Sequence, residues 1–320
     1  MIRPLYDGKV RTAALLLLSR VVLHHAPSAV SLRRYAMARL VMIRISQLAL
    51  VVALAVGGVL SAAVPRPAQA AGNLPDSMAA LGDSVTRAFN ACGFYYDCTS
   101  RSWSTGSYSY VNSHYRRILA QNPAIYRHNY NDAADGARAG DLARQAGNAV
   151  NQHVEYVTIE IGANDACRSS ESLMTPVSTY RAQIDSALAT LKQGLPRNAR
   201  VFVASVPDLK RLWYIGKNSA AARFAWDYFN ICQSMLANPL STSSEDVARR
   251  DRVQQRVKDY NSQLAQACAT YGPRCDFDNN AVFNYRFVLS QISVWDYFHP
   301  NTEGQRVAAQ VTWNAGPYAG

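Results

Sequence analysis

The strongest constraint on how this chain can fold is an alternation. Short apolar runs at residues 77–81, 126–130, 155–161 and 200–206, with a weaker one at 275–277, are separated by segments of helical period. Strands that alternate with helices build a parallel sheet with helices on its faces, so the expected class is α/β with a central parallel sheet. Two helical stripes are explicit. Tyr180, Ile184, Leu188 and Leu191 recur at helical spacing and stop before Gly194-Leu195-Pro196, and Val253, Val257, Tyr260, Leu264 and Tyr271 end at Gly272-Pro273. Both stripes are core positions. A last helix is expected from Thr302-Glu303 through Val307 and Val311.

Ahead of this pattern lies a stretch of another kind. Residues 46–64 are apolar and uncharged, preceded by Arg33, Arg34, Arg39 and Arg44 and followed by Pro65-Arg66-Pro67-Ala68-Gln69-Ala70. A basic flank, an apolar run and small residues at Ala68 and Ala70 make a secretory signal with cleavage after Ala70. An apolar run of about 20 residues also suffices for an uncleaved anchor, but Gly57, Gly58 and the Ala-Gln-Ala end favour cleavage. Residues 1–36 are long for such a signal, and Met37 or Met42 makes a more ordinary start than Met1. The expectation is an N-terminal extension and signal over 1–70, then a single domain over 71–320. That is length enough for one α/β core. The protein is expected to be secreted, with no stable membrane span after cleavage.

Charge divides at the same place. The whole chain carries 33 Lys and Arg against 22 Asp and Glu, a formal net charge of +11. Nine of those bases and one acid precede residue 71, so the remainder holds 24 against 21, only +3. Apart from Arg249, Arg250 and Arg252 it has no dense basic run, which argues against a nucleic-acid partner. All six cysteines, Cys92, Cys98, Cys167, Cys232, Cys268 and Cys275, follow residue 70, and an even number in an exported chain favours disulfides. Local loop closure prefers Cys92–Cys98 and Cys268–Cys275, which leaves Cys167–Cys232. The chain has no paired C-x-x-C spacing and no histidine cluster beside the cysteines, so no metal site is expected.

The residues that can carry chemistry stand at the ends of the apolar runs. Leu81-Gly82-Asp83-Ser84-Val85-Thr86 places a serine where the first strand hands over to a helix, the edge of a parallel sheet at which ligands bind. Serine needs a base to take its proton. Of the four histidines after residue 70, His114, His128, His153 and His299, only His299 carries its own orienting carboxylate. In Trp295-Asp296-Tyr297-Phe298-His299-Pro300 the three-residue spacing brings Asp296 under the ring, where it fixes the tautomer that leaves Nε2 free to accept. Taken alone, a Gly-Asp-Ser turn is more often a helix cap, and an Asp–His pair is as often structural. Acyl transfer also needs donors for a developing oxyanion. The Asn164 amide in Gly162-Ala163-Asn164-Asp165 and the backbone N–H of Gly136 supply them from the next two strand ends, with Gly140 a rival for the glycine.

These four ordered blocks, Gly-Asp-Ser at 82–84, Gly136, Gly-Ala-Asn-Asp at 162–165 and Asp-x-x-His-Pro at 296–300, resemble those of the SGNH (GDSL-type) hydrolases. The resemblance spans about 77–314. It implies a flavodoxin-like three-layer α/β/α fold, Ser84 as nucleophile, His299 as base with Asp296 behind it, and an oxyanion hole of Ser84, Gly136 and Asn164. It implies no cofactor and no metal. Ser104-Thr105-Gly106, Tyr115-Arg116-Arg117-Ile118-Leu119, Asn122-Pro123 and Cys167 are similar to secreted phospholipase B-like members, although the blocks also occur in bacterial lipases and esterases. The expected activity is hydrolysis of acyl esters, lipids or phospholipids foremost, by a monomer that can work at a lipid interface. A carbohydrate O-acetyl esterase is the alternative within the enzymes, with Trp103, Tyr108, Tyr110, Trp213 and Trp226 available to stack on sugars. A non-catalytic lipid- or glycan-binding protein is the alternative outside them. The aromatic segment 208–244 reads equally as a lid or cleft wall and as plain core.

Overall fold

The computed structural model describes residues 74–319; the signal expected within 1–70 and its apolar run at 46–64 lie outside the described residues. Five strands form one all-parallel sheet: β1 (Met78–Gly82), β2 (Asn129–Asn131), β3 (Tyr156–Glu160), β4 (Arg200–Val203) and β5 (Cys275–Phe277), in the order β2-β1-β3-β4-β5. That is the flavodoxin-like order, in which the crevice opens where the strand sequence reverses, beside β1 and β3. Between them run α1 (His114–Leu119), α2 (Leu142–Asn151), α3 (Ala163–Ala166), α4 (Val177–Gly194), α5 (Leu209–Gly216), α6 (Ala220–Tyr228), α7 (Gln233–Leu236), α8 (Ser244–Tyr271), α9 (Ala281–Asn284) and α10 (Thr302–Asn314).

The two-residue period of the strands sorts the core into two layers. Ala79, Leu81, Val157, Ile159, Val201 and Val203 face a cluster that takes Leu142 and Ala146 from α2, Ile184 and Leu188 from α4, and Val253, Val257 and Leu264 from α8. Met78, Tyr156 and Phe202 face the other way, against Tyr115 and Ile118 of α1 and Ala308, Ala309 and Trp313 of α10. His114 is fully buried in this second layer, between the Tyr156 hydroxyl at 3.0 Å and Thr312 Oγ1 at 2.9 Å. Burial drives its pKa down to about 3, so it is a neutral structural residue.

Two strands end differently from the apolar runs. The run 126–130 pairs only from Asn129, because the chain first makes a one-turn helix at Pro123–Ile125 and leaves Tyr126 exposed. The run 200–206 leaves the sheet after Val203, since the Asn261 side chain of α8 takes both the N–H (2.8 Å) and the C=O (3.2 Å) of Val206. The six cysteines pair as Cys92–Cys98, Cys167–Cys232 and Cys268–Cys275, with Cα–Cα separations of 5.8, 4.3 and 5.3 Å. No helix among the described residues is long and apolar enough to cross a membrane.

Candidate active site

Gly82 closes β1 at φ +149°, and a Cβ there would lie 2.2 Å from the Glu160 carbonyl on β3. Only glycine lets the two strand ends approach this closely. Ser84 follows two residues later, but it does not open a helix. The chain runs on as a series of turns, closed by Arg87 N–H to Asp83 C=O at 3.1 Å and Phe89 N–H to Ser84 C=O at 3.0 Å. Ala88 (φ +55°) and Asn90 (φ +63°) are left-handed, which stops a right-handed helix from propagating.

Ser84 Oγ lies 2.7 Å from His299 Nε2, and His299 Nδ1 lies 2.5 Å from Asp296 Oδ2. Asp296 also accepts the backbone N–H groups of Phe298 (2.9 Å) and His299 (3.1 Å) on Oδ1, so one carboxylate shapes the turn and orients the ring. The turn holds Tyr297 at φ +53° and is braced from α6, whose Trp226 indole donates to the Tyr297 carbonyl at 2.9 Å. Burial acts to raise the Asp296 carboxyl, but the His299 ring and the two backbone donors outweigh it and hold the group below the usual carboxylate range. Phe89 and Phe298 present their edges to the imidazole, each ring centroid at 5.1 Å.

A further residue completes this arrangement. Asn90 donates its amide to Asp296 Oδ2 at 2.7 Å, across 206 positions of sequence, and is itself buried. No motif in its local sequence links it to Asp296. The left-handed Asn in a turn after the serine was the one available signal.

Asn164 sits at the start of α3 and Gly136 at φ +70° in the loop after β2, and both line the same cleft as Ser84 and His299. Gly140 does not line it; a Cβ there would meet the Gln183 amide on α4 at 3.0 Å. The Asn164 amide donates to the Ala137 carbonyl at 3.1 Å and, more weakly, to Asp83 Oδ2 at 3.3 Å. Among the described residues, neither the Ser84 nor the Gly136 N–H is engaged in a hydrogen bond. Below the serine, burial pushes the Asp83 carboxyl up to about 7 and the Glu160 carboxyl well above its ordinary value. A serine with an oriented imidazole beside it and unengaged donors next to it can attack an acyl carbon and hold the resulting oxyanion.

Residues 78–311 match the family described as GDSL-like Lipase/Acylhydrolase. The chain belongs to that family. This acylhydrolase is thus a carboxylic ester hydrolase on the three-layer α/β/α fold. Among solved structures it is similar to a catalytic mutant of an acetylxylan esterase from Geobacillus stearothermophilus, at 17% identity over 75% of this chain and 93% of that one, with a TM-score of 0.44. It is also similar to an extracellular lipase from Streptomyces rimosus, at 20% identity over 75% and 99% of the two chains, with a TM-score of 0.41. No curated protein matches the chain.

The cleft of the hydrolase has a volume of about 290 Å³, and its walls differ from the sequence expectation in one respect. Trp103 and Trp226 are buried in the two core layers, and Trp213 is held between Lys217 and Arg250, so none of the three is free to stack on a sugar in the cleft. Tyr108 and Tyr110 are exposed but lie outside it. The aromatic rings that do line it are Phe89, Tyr95, Phe229 and Phe298, joined by Ile231 and the Cys167–Cys232 disulfide. Segment 208–244 is both things at once: Leu209, Trp226, Met235 and Leu236 are core, while Phe229 and Ile231 form a cleft wall.

Proposed function

We propose that the acylhydrolase cleaves lipid acyl esters outside the cell through a Ser84–His299–Asp296 triad and an acyl-enzyme. The observation that carries this reading is the unbroken relay of 2.7 and 2.5 Å from Ser84 Oγ through His299 to Asp296. As Oγ bonds to the ester carbonyl carbon, its proton passes to His299 Nε2, and Asp296 stabilises the imidazolium. The oxyanion is received by the N–H groups of Ser84 and Gly136 and by Asn164 Nδ2, which exchanges its weak bond to Asp83 for a stronger one to full negative charge. Collapse expels the alcohol with the proton from His299. Water then attacks the acyl-enzyme by the same route in reverse, giving a carboxylic acid and free Ser84.

The apolar lining of Phe89, Tyr95, Phe229 and Ile231 supports a lipid rather than a polar acyl donor. Export is supported by six cysteines that are all paired and by the leader read at 1–70, which leaves 71–320 as the catalytic domain. The test compares the protein with Ser84→Ala on p-nitrophenyl acetate, octanoate and palmitate and on phosphatidylcholine vesicles. Fatty-acid release that drops on the order of 10⁶-fold in the variant is expected. Residual near-native turnover would remove Ser84 from the mechanism, and turnover confined to acetate would point to an O-acetyl esterase acting on glycans.

A further inference from the structure

Behind the catalytic turn lies a second cavity, of about 60 Å³, that the chemistry above does not use. Its lining begins with Val85, Ala163 and Phe298, the immediate chain neighbours of Ser84, Asn164 and His299. Phe298 lines this cavity and the catalytic cleft alike. Farther in, Leu209, Leu212 and Ile215 of α5 face Phe287 and Ile292. The two charged lining residues are committed elsewhere. Asp208 caps α5 through the Arg211 N–H at 3.0 Å and pairs with Arg286, and the Arg211 guanidinium donates to the Phe287 carbonyl at 2.8 Å. What remains for a ligand is aliphatic and aromatic surface, one residue away from Ser84, Asn164 and His299.

We infer that this cavity is the acyl-chain subsite, entered past the Phe298 ring, and that it selects short- to medium-chain acyl groups. The inference rests on the assignment of Ser84 as nucleophile. A volume of 60 Å³ holds about four water-sized groups, the length of a butyl segment. An acetyl group has no methylene to place there, whereas butanoyl to octanoyl chains extend toward it and seat up to about four carbons inside. Each methylene moved from water to apolar surroundings is worth roughly fourfold in kcat/KM.

The test is a chain-length series of p-nitrophenyl esters from acetate to palmitate on the full-length protein and three variants. Leu212→Trp fills the cavity from a half-buried position. The expected result is a fall of roughly 10-fold or more in the octanoate-to-acetate ratio of kcat/KM. Leu212→Ala enlarges it and is expected to move the optimum toward longer chains, which keeps the inference testable if the Trp variant misfolds. Leu240→Trp, at an exposed position lining neither space, controls for the added indole and should leave the ratio alone. Parent enzyme that hydrolyses octanoate with a ratio indifferent to both Leu212 changes would overturn the subsite while leaving the hydrolase intact. Parent enzyme inactive on every ester would overturn the nucleophile assignment and the subsite together.

Discussion

The floor of the cleft and its rim are made of opposite materials. Beneath Ser84 lie buried carboxyls: Asp83 accepts the Val85 N–H at 2.9 Å, and Asp165 accepts the Ala139 N–H at 3.0 Å and the Thr175 hydroxyl at 2.7 Å. Glu160 is buried beside them and its carboxylate oxygens find no hydrogen-bond partner among the described residues, and burial pushes its carboxyl well above its ordinary value. At the cleft wall, Tyr95 and Phe229 are about half exposed or more, as are their sequence neighbours Phe94, Tyr96, Phe224 and Tyr228. Several pack ring against ring, as Tyr95 does with Phe89 at 5.0 Å and with Phe229 at 6.4 Å, and Phe224 with Tyr228 at 5.4 Å. Directional bonds in a dry site define positions to tenths of an ångström, whereas ring contacts at a wet rim tolerate slippage. On the proposed function, the floor is expected to set rate and the rim to govern substrate binding.

That contrast breaks if floor and rim substitutions cost alike. Asn164→Ala should show the largest effect of the residues beside the nucleophile, a loss on the order of 10²–10³ in kcat; a change confined to KM would make it a binding residue only. Asn90→Leu, which takes one donor from Asp296 while leaving His299 in place, should lower kcat roughly 10-fold with KM nearly constant, the scale of a hydrogen bond to a buried charge. Steady-state kinetics on a soluble ester reads both. At the rim, Phe229→Ala should raise KM for long-chain esters roughly three- to fivefold with kcat preserved, and a kcat loss as large as that of Asn90→Leu would erase the distinction.

A test on stability rather than rate sharpens the comparison through pH. Asp83 ordinarily titrates at 3.8 and in the folded chain at about 7, because burial disfavours its charge. Between those values the native state holds a proton that the unfolded chain has released, so stability falls as pH rises from about 4 to 7 and this contribution is constant above. Asp83→Asn keeps the neutral form throughout, and denaturant unfolding across that window should show a shallower decline than in the parent. An equal slope in both would mean that the floor carboxyl titrates normally and that the floor is wetter than its burial implies.

How far these regions were legible in advance follows the range of the interactions that make them. The sheet could be read because each strand is an apolar run of its own, and the Asp296–His299 pair because three residues on one turn meet whatever the rest of the chain does. The strand ends went astray where a distant side chain intervened, as Asn261 does when it draws Val206 out of the sheet. Asn90 escaped notice for the same reason, since its partner stands on the far side of the chain. The aromatics misled because an indole buried in a core and one free to stack on a ligand are the same letter; Trp226 turned out to brace the histidine turn.

By itself, then, the amino-acid order determined the class of fold and pointed to an all-disulfide cysteine set, and it marked Ser84, Asn164, Asp296 and His299 as site candidates while leaving the glycine between Gly136 and Gly140. Only the tertiary structure decided which glycine faces the cleft, what supports the Asp296 carboxylate, and that an apolar cavity lies against Val85, Ala163 and Phe298. Those features are properties of space enclosed between elements remote in sequence, and no local pattern of residues records a volume.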